Sequence, residues 1–132
     1  MSREDVELVR RAYDAYAREE FAEAGSAYSE DTLWDVTRFR PDEGVHRGLA
    51  ELTKYITSWR QTWAEHSFAL ERAVDAGDRV VAVIRESGTG RASGASVTIR
   101  YGQVIRVREG KIVETVVYAD PADAFAAAGV SG

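Results

Sequence analysis

Residues 50–70 read AELTKYITSWRQTWAEHSFAL, and the period of the apolar pattern changes inside this stretch. Leu52, Tyr55, Ile56, Trp59 and Trp63 fall at offsets 0, 3, 4, 7 and 11, one face of an amphipathic helix predicted from about Ala50 to Trp63. Beyond it Phe68 and Leu70 alternate with polar residues, which is the period of a strand. Helices predominate before this point and a run of strands follows it, which makes an α+β chain.

Toward the N-terminus, Ser2 and Asp5 have the spacing of an acidic capping box. Val6, Val9, Tyr13 and Tyr16 then form the stripe of a helix running to about Glu19. Phe21 to Tyr28 reads as a short second helix with Phe21, Ala24 and Tyr28 inward, ended by Ser29-Glu30-Asp31. Thr32 to Thr37 is β-branched and aromatic, hence a strand, and Arg38 to Gly48 is a loop. Toward the C-terminus, Asp75 to Asp78 is a turn, Val80 to Ser87 a strand and Gly88 to Gly94 a hairpin loop. In the next strand Val97, Ile99, Tyr101, Gln103, Ile105 and Val107 share one face, with Thr98, Arg100, Arg106 and Arg108 on the other. Glu109-Gly110 turns the chain into a last strand, Ile112 to Ala119. Asp120 caps, and Pro121 opens, a short helix ending at Gly129. The strands are expected to form an antiparallel meander.

With 132 residues, the natural count is one domain over 1–132. The absence of cysteine excludes disulfides, thiolate-bound zinc, iron–sulfur clusters and thiol catalysis. A net charge of -5 argues against a nucleic-acid surface, and the apolar runs are too short for a signal peptide or membrane span. A soluble, cytoplasmic protein is expected. The two histidines, His46 and His66, make no metal site, and the glycines of 88–94 lack the dinucleotide spacing, so no metal or cofactor is expected. The unusual feature is aromatic: 3 Trp, 6 Tyr and 4 Phe in a small acidic chain.

AYDAYAREEF (12–21), SEDTLWD (29–35), GVHRGLAEL (44–52), DAGDRVV (75–81) and REGKIVE (108–114) together resemble the SnoaL-like, ketosteroid-isomerase-like branch of the nuclear-transport-factor-2-like superfamily. The resemblance implies a curved antiparallel sheet wrapped around the N-terminal helices as a cone-shaped barrel with an apolar cavity. It also implies a homodimer through the convex side of the sheet. Ketosteroid-isomerase chemistry needs a carboxylate base and an oxyanion hole of a tyrosine and a protonated carboxyl. Carried over, the base falls on Val36 beside Asp35, the tyrosine on Ala12 beside Tyr13, and the second carboxyl on Gln103. Along a strand, one residue's offset turns Asp35 away from the cavity. The chain therefore does not read as a standard ketosteroid isomerase. The cyclase members' His-Trp-Asp run is replaced by Thr115, Val116 and Val117, and the Asp–Arg–Asp trio of the epoxide hydrolases has scattered candidates in Asp35, Arg85 and Glu86.

The candidate catalytic residues are His46, Asp35 and Gln103. His46 is included because its ordinary pKa lies near neutrality, and Gln103 because an amide on an apolar face needs a partner. His66 reads as surface. Tyr13, Tyr16, Trp34, Tyr55, Trp59, Trp63, Tyr101 and Gln103 are the candidate wall of a hydrophobic-ligand cavity, with Arg38 at its mouth for an anion. Three roles stay open. The chain is a cofactor-independent isomerase, cyclase or hydrolase acting on a hydrophobic cyclic substrate, a non-catalytic ligand-binding protein, or a dimerisation module with a filled cone.

Overall fold

The computed structural model describes residues 2–132. Helix α1 (Ser2–Ala17) and a short α2 (Phe21–Gly25) precede β1 (Tyr28–Arg38), a 3-10 turn at Pro41–Glu43, β2 (Val45–Arg47) and α3 (Leu49–Gln61). Strands β3 (Trp63–Asp75), β4 (Arg79–Gly90), β5 (Ser96–Arg108) and β6 (Lys111–Tyr118) follow, and α4 (Pro121–Ala128) ends the chain. The capping side chain expected at Ser2 lies outside the described residues. Among the described residues no helix is long and apolar enough to cross a membrane.

One six-stranded sheet has the order β2-β1-β6-β5-β4-β3, with β2 and β3 as open edges. β3 through β6 form the antiparallel meander that their alternating patterns predict. The pairing of β1 with β6 is parallel, so the sheet is mixed. A parallel pair needs a long crossover, and here α3 and four strands separate the two. Register shifts at Leu70/Arg72 and Arg106/Val107 mark bulges, which bend and twist a sheet locally.

Three local expectations are corrected. Ser29, Glu30 and Asp31 do not break the chain but run within β1, in the register shift between the ladder pairs Tyr28–Ile112 and Leu33–Glu114 that hold the strand on either side of them. Phe21, expected inward, is 44% exposed. Trp63 is not on the helix: α3 ends at Gln61, with Thr62 Oγ1 donating to the Trp59 carbonyl at 2.6 Å, and Trp63 opens β3 opposite Gly90.

The sheet is covered on both faces. On the concave side Val9, Ala12 and Tyr13 of α1 and Leu52 of α3 pack with Val80, Ala82 and Ile84 of β4 and Ile105 of β5. On the convex side Ala124, Phe125 and Ala128 of α4 cover the intervening Val81, Val83 and Val104. Burying one such aliphatic side chain contributes about 1.5–3 kcal/mol. The α4 ends match their sequence signals, with the Asp120 carboxylate accepting from Ala122 N at 2.9 Å and Gly129 at φ 75°. Gly102 lets α4 approach the sheet, since a Cβ there would stand 2.8 Å from Ala124 Cβ and 2.9 Å from Pro121 Cα.

Candidate functional site

Between the concave face and the helices lies a cavity of about 460 Å³. Its apolar wall includes Ala12, Trp34, Leu52, Ile56, Trp59 and Phe68, and its polar side chains include Tyr13, Tyr101, Glu86 and Gln103. That volume is within the ~300–1,000 Å³ of pockets for small organic ligands. A second space of about 40 Å³ lies behind Trp59, Tyr101 and Trp34, lined also by Tyr55 and Phe39.

Glu86 is the one buried carboxylate among the described residues, 1% exposed. Alternation along β4 puts it on the face of Val80, Ala82 and Ile84. The β3/β4 register sets Phe68 opposite Glu86 and His66 opposite Gly88, so His66 and Glu86 are diagonal neighbours on one face. The β4/β5 register sets Ile84 opposite Tyr101, which brings that phenol diagonally to the same carboxylate. Three donors result. Trp59 Nε1 reaches Glu86 Oε1 at 3.0 Å, His66 Nε2 shares the same oxygen, and the Tyr101 hydroxyl donates to Oε2. Because an ionised carboxylate only accepts, His66 is oriented with its proton on Nε2. The His66 ring packs on Trp63 at 4.9 Å between centroids.

A second polar pair is formed by Tyr13, whose hydroxyl donates to Gln103 Oε1. Burial is the main cause that pushes the Tyr13 phenol well above its ordinary pKa, with Tyr28 beside it adding to the shift. Burial does the same to Tyr101, reinforced by the Glu86 charge. Tyr28 is pushed up to about 12 by burial, and so is Tyr16, where the Arg60 guanidinium partly opposes the effect. At neutral pH the cavity therefore presents neutral phenols, which donate hydrogen bonds, around one carboxylate.

Of the expected residues, Tyr13, Tyr16, Trp34, Trp59, Tyr101 and Gln103 all line the cavity. Tyr55 lines only the small space and donates to Glu43 at 2.7 Å. Trp63 lines neither, its ring lying instead against Trp59 and His66. Asp35 lies on the opposite face of β1 from Trp34 and accepts from Thr37 N at 2.9 Å and Thr37 Oγ1 at 2.6 Å. That alternation removes it as a base. His46 stacks on Tyr55 at 4.4 Å, opposite Trp34 in the β1/β2 register, and lines neither space. Arg38 is exposed at the end of β1, away from the cavity lining. Arg85, exposed, points away from the face of Glu86, so Asp35, Arg85 and Glu86 form no trio. His66 is not a surface residue: its side chain is 10% exposed. Two signals pointed to the missed pair. Glu86 continues the apolar parity of β4, and His66 continues that of Phe68 and Leu70.

The family model described as the SnoaL-like domain matches residues 9–115. No curated protein matches the chain. Among solved structures, an NTF2-like protein from Burkholderia thailandensis is 29% identical, with 96% of this chain and 97% of that one covered and a TM-score of 0.78. An NTF2-like protein of unknown function from Burkholderia pseudomallei is 23% identical, covering 93% and 95% at a TM-score of 0.76. TerC, co-crystallised with polyporic acid, has the same fold at 16% identity, 96% and 98% coverage and a TM-score of 0.76. With its NTF2-like fold and its match to the family model running from Val9 to Thr115, the chain belongs to the SnoaL-like family.

Proposed function

We propose that the protein binds a hydrophobic cyclic molecule in the 460 Å³ cavity and acts on it by acid–base chemistry of its own side chains. Glu86 carries the proposal. It is 1% exposed, on the cavity lining, at a strand position whose neighbours of the same parity are all apolar. Burying a carboxylate costs several kcal/mol, and packing alone would be served by a valine or leucine there.

The arrangement suits proton transfer. Trp59 and His66 hold Oε1, which fixes the carboxylate, while Oε2 has Tyr101 as its one donor and keeps a lone pair for a substrate proton. The single protons of Tyr13 and Tyr101 go to Gln103 and Glu86, so either phenol serves a substrate oxygen where charge develops by exchanging that bond for one to the substrate. A second reading, binding without turnover, is favoured by the fact that three donors already occupy Glu86. In both readings two copies pair through the part of the convex face that α4 leaves open.

The test is a screen of polyketides, steroids, terpenes and polyporic acid against wild type and Glu86→Gln in deuterated water. Tryptophan fluorescence reads binding, and mass spectrometry reads conversion or deuterium uptake. Conversion by wild type and not by E86Q supports the enzyme. Binding by both without conversion supports the second reading, and no binding of any compound contradicts both.

A further inference from the structure

The charge of the cavity is divided along its length. Along α3, Leu49, Leu52, Ile56 and Trp59 line it with their apolar side chains, and Thr53, Thr57, Arg60 and Gln61 on an adjoining strip line it too. The threonines and Gln61 are exposed, so this strip is the rim and the Glu86 carboxylate is the deep end. Two cations line the cavity, Arg60 and Arg91. Arg91 is committed to the backbone: its Nε donates to the Gln61 carbonyl and its Nη2 to the Trp63 carbonyl, both at 3.0 Å.

Arg60 is held differently. Its guanidinium carbon stands 4.4 Å from the Phe21 ring centroid and 5.6 Å from that of Tyr16, so aromatic faces fix the group. It bonds the Tyr16 hydroxyl and, through one contact of 3.4 Å, Glu19, whose side chain is 69% exposed against 26% for Arg60. An ion pair to a carboxylate standing in water is weak and exchangeable. A guanidinium carries five N–H donors in a planar fork, of which Glu19 and the Tyr16 hydroxyl take up part. The other charged groups near this rim are Glu19 and the backbone-bound Arg91, and an overall charge of -5 gives anions no long-range attraction to the molecule. An anion is thus welcome only beside Arg60 and is repelled from the deep end by Glu86.

We infer that the ligand is an amphipathic acid, its ring body in the cavity and its carboxylate- or sulfonate-type anion at the rim on the fork of Arg60, displacing Glu19. The inference rests on the cavity being the ligand site and adds to it the chemical class and the orientation. A guanidinium already positioned by two rings loses little freedom on binding, which favours a bidentate contact.

Two probes that share an aromatic body separate the claims: anilinonaphthalene sulfonate and its uncharged counterpart phenylnaphthylamine, titrated by fluorescence and displacing one another. Wild type is expected to bind the sulfonate about tenfold more tightly, the range of a charge-assisted hydrogen-bonded contact at a partly exposed site. Arg60→Gln abolishes that preference while phenylnaphthylamine affinity stays. Glu19→Gln, which removes the competing carboxylate, raises sulfonate affinity about twofold to threefold and leaves phenylnaphthylamine unchanged, a response that loss of packing does not produce. Phenylnaphthylamine binding with no preference in wild type, or a preference that survives in R60Q and ignores E19Q, overturns the inference and leaves the cavity reading standing. Failure of both probes to bind overturns the two together.

Discussion

Three donors meet at Glu86, and each can be removed singly. His66→Phe keeps the ring against Trp63 but takes one donor from a buried carboxylate, so it is expected to cost about 1–3 kcal/mol, read as a fall in the urea midpoint. The buried phenols make a separate, pH-dependent contribution. Tyr28 has its pKa raised from 10.0 to about 12, so the folded state holds that proton more tightly than the unfolded chain. Its stabilisation is complete below pH 10.0 and is lost as pH rises toward about 12. Tyr28→Phe is therefore expected to flatten the decline of the urea midpoint over that interval, and an unchanged decline would contradict it. At this scale the sequence was partly legible. Strand parity correctly turned Asp35 outward and Gln103 inward. It could not join His66 to Glu86, which lie on different strands and meet only through the β3/β4 register.

At the scale of elements, periodicity located the helices and strands because their apolar faces must be buried. It failed where a neighbour rather than a local preference decides. The end of α3 is one instance: Trp63 fits the helical stripe by spacing, yet it pairs across to Gly90 as the first residue of β3. The parallel β1/β6 pairing is another, since nothing within either segment specifies which edge its partner will offer. The seat of α4 on the convex face is tested at Gly102. A valine there places a Cβ 2.8 Å from Ala124 Cβ, so α4 must lift from β5. Gly102→Val is expected to cost about 1–3 kcal/mol and to speed amide hydrogen exchange in α4 ahead of the rest of the chain. Uniform exchange rates with an unchanged denaturation midpoint would contradict this packing.

At the scale of the whole molecule, one sheet sorts the chain into two environments. α4 covers its convex face over Val81, Val83 and Val104, and its concave face leaves 460 Å³ between aromatic walls. The aromatic excess of the sequence explains those walls, while Glu86, on which the proposed chemistry rests, is a carboxylate that composition does not distinguish from the other acidic residues. A ligand that fills the cavity should stabilise the fold by mass action, about 2.7 kcal/mol at a hundredfold excess over Kd. The central claim is that Glu86 moves a proton in that cavity. It is tested most directly by kcat and Kd measured side by side for wild type and E86Q on a compound that wild type converts. A kcat at least about 100-fold lower in E86Q is expected, with Kd nearly unchanged. Equal kcat values in the two proteins would contradict it.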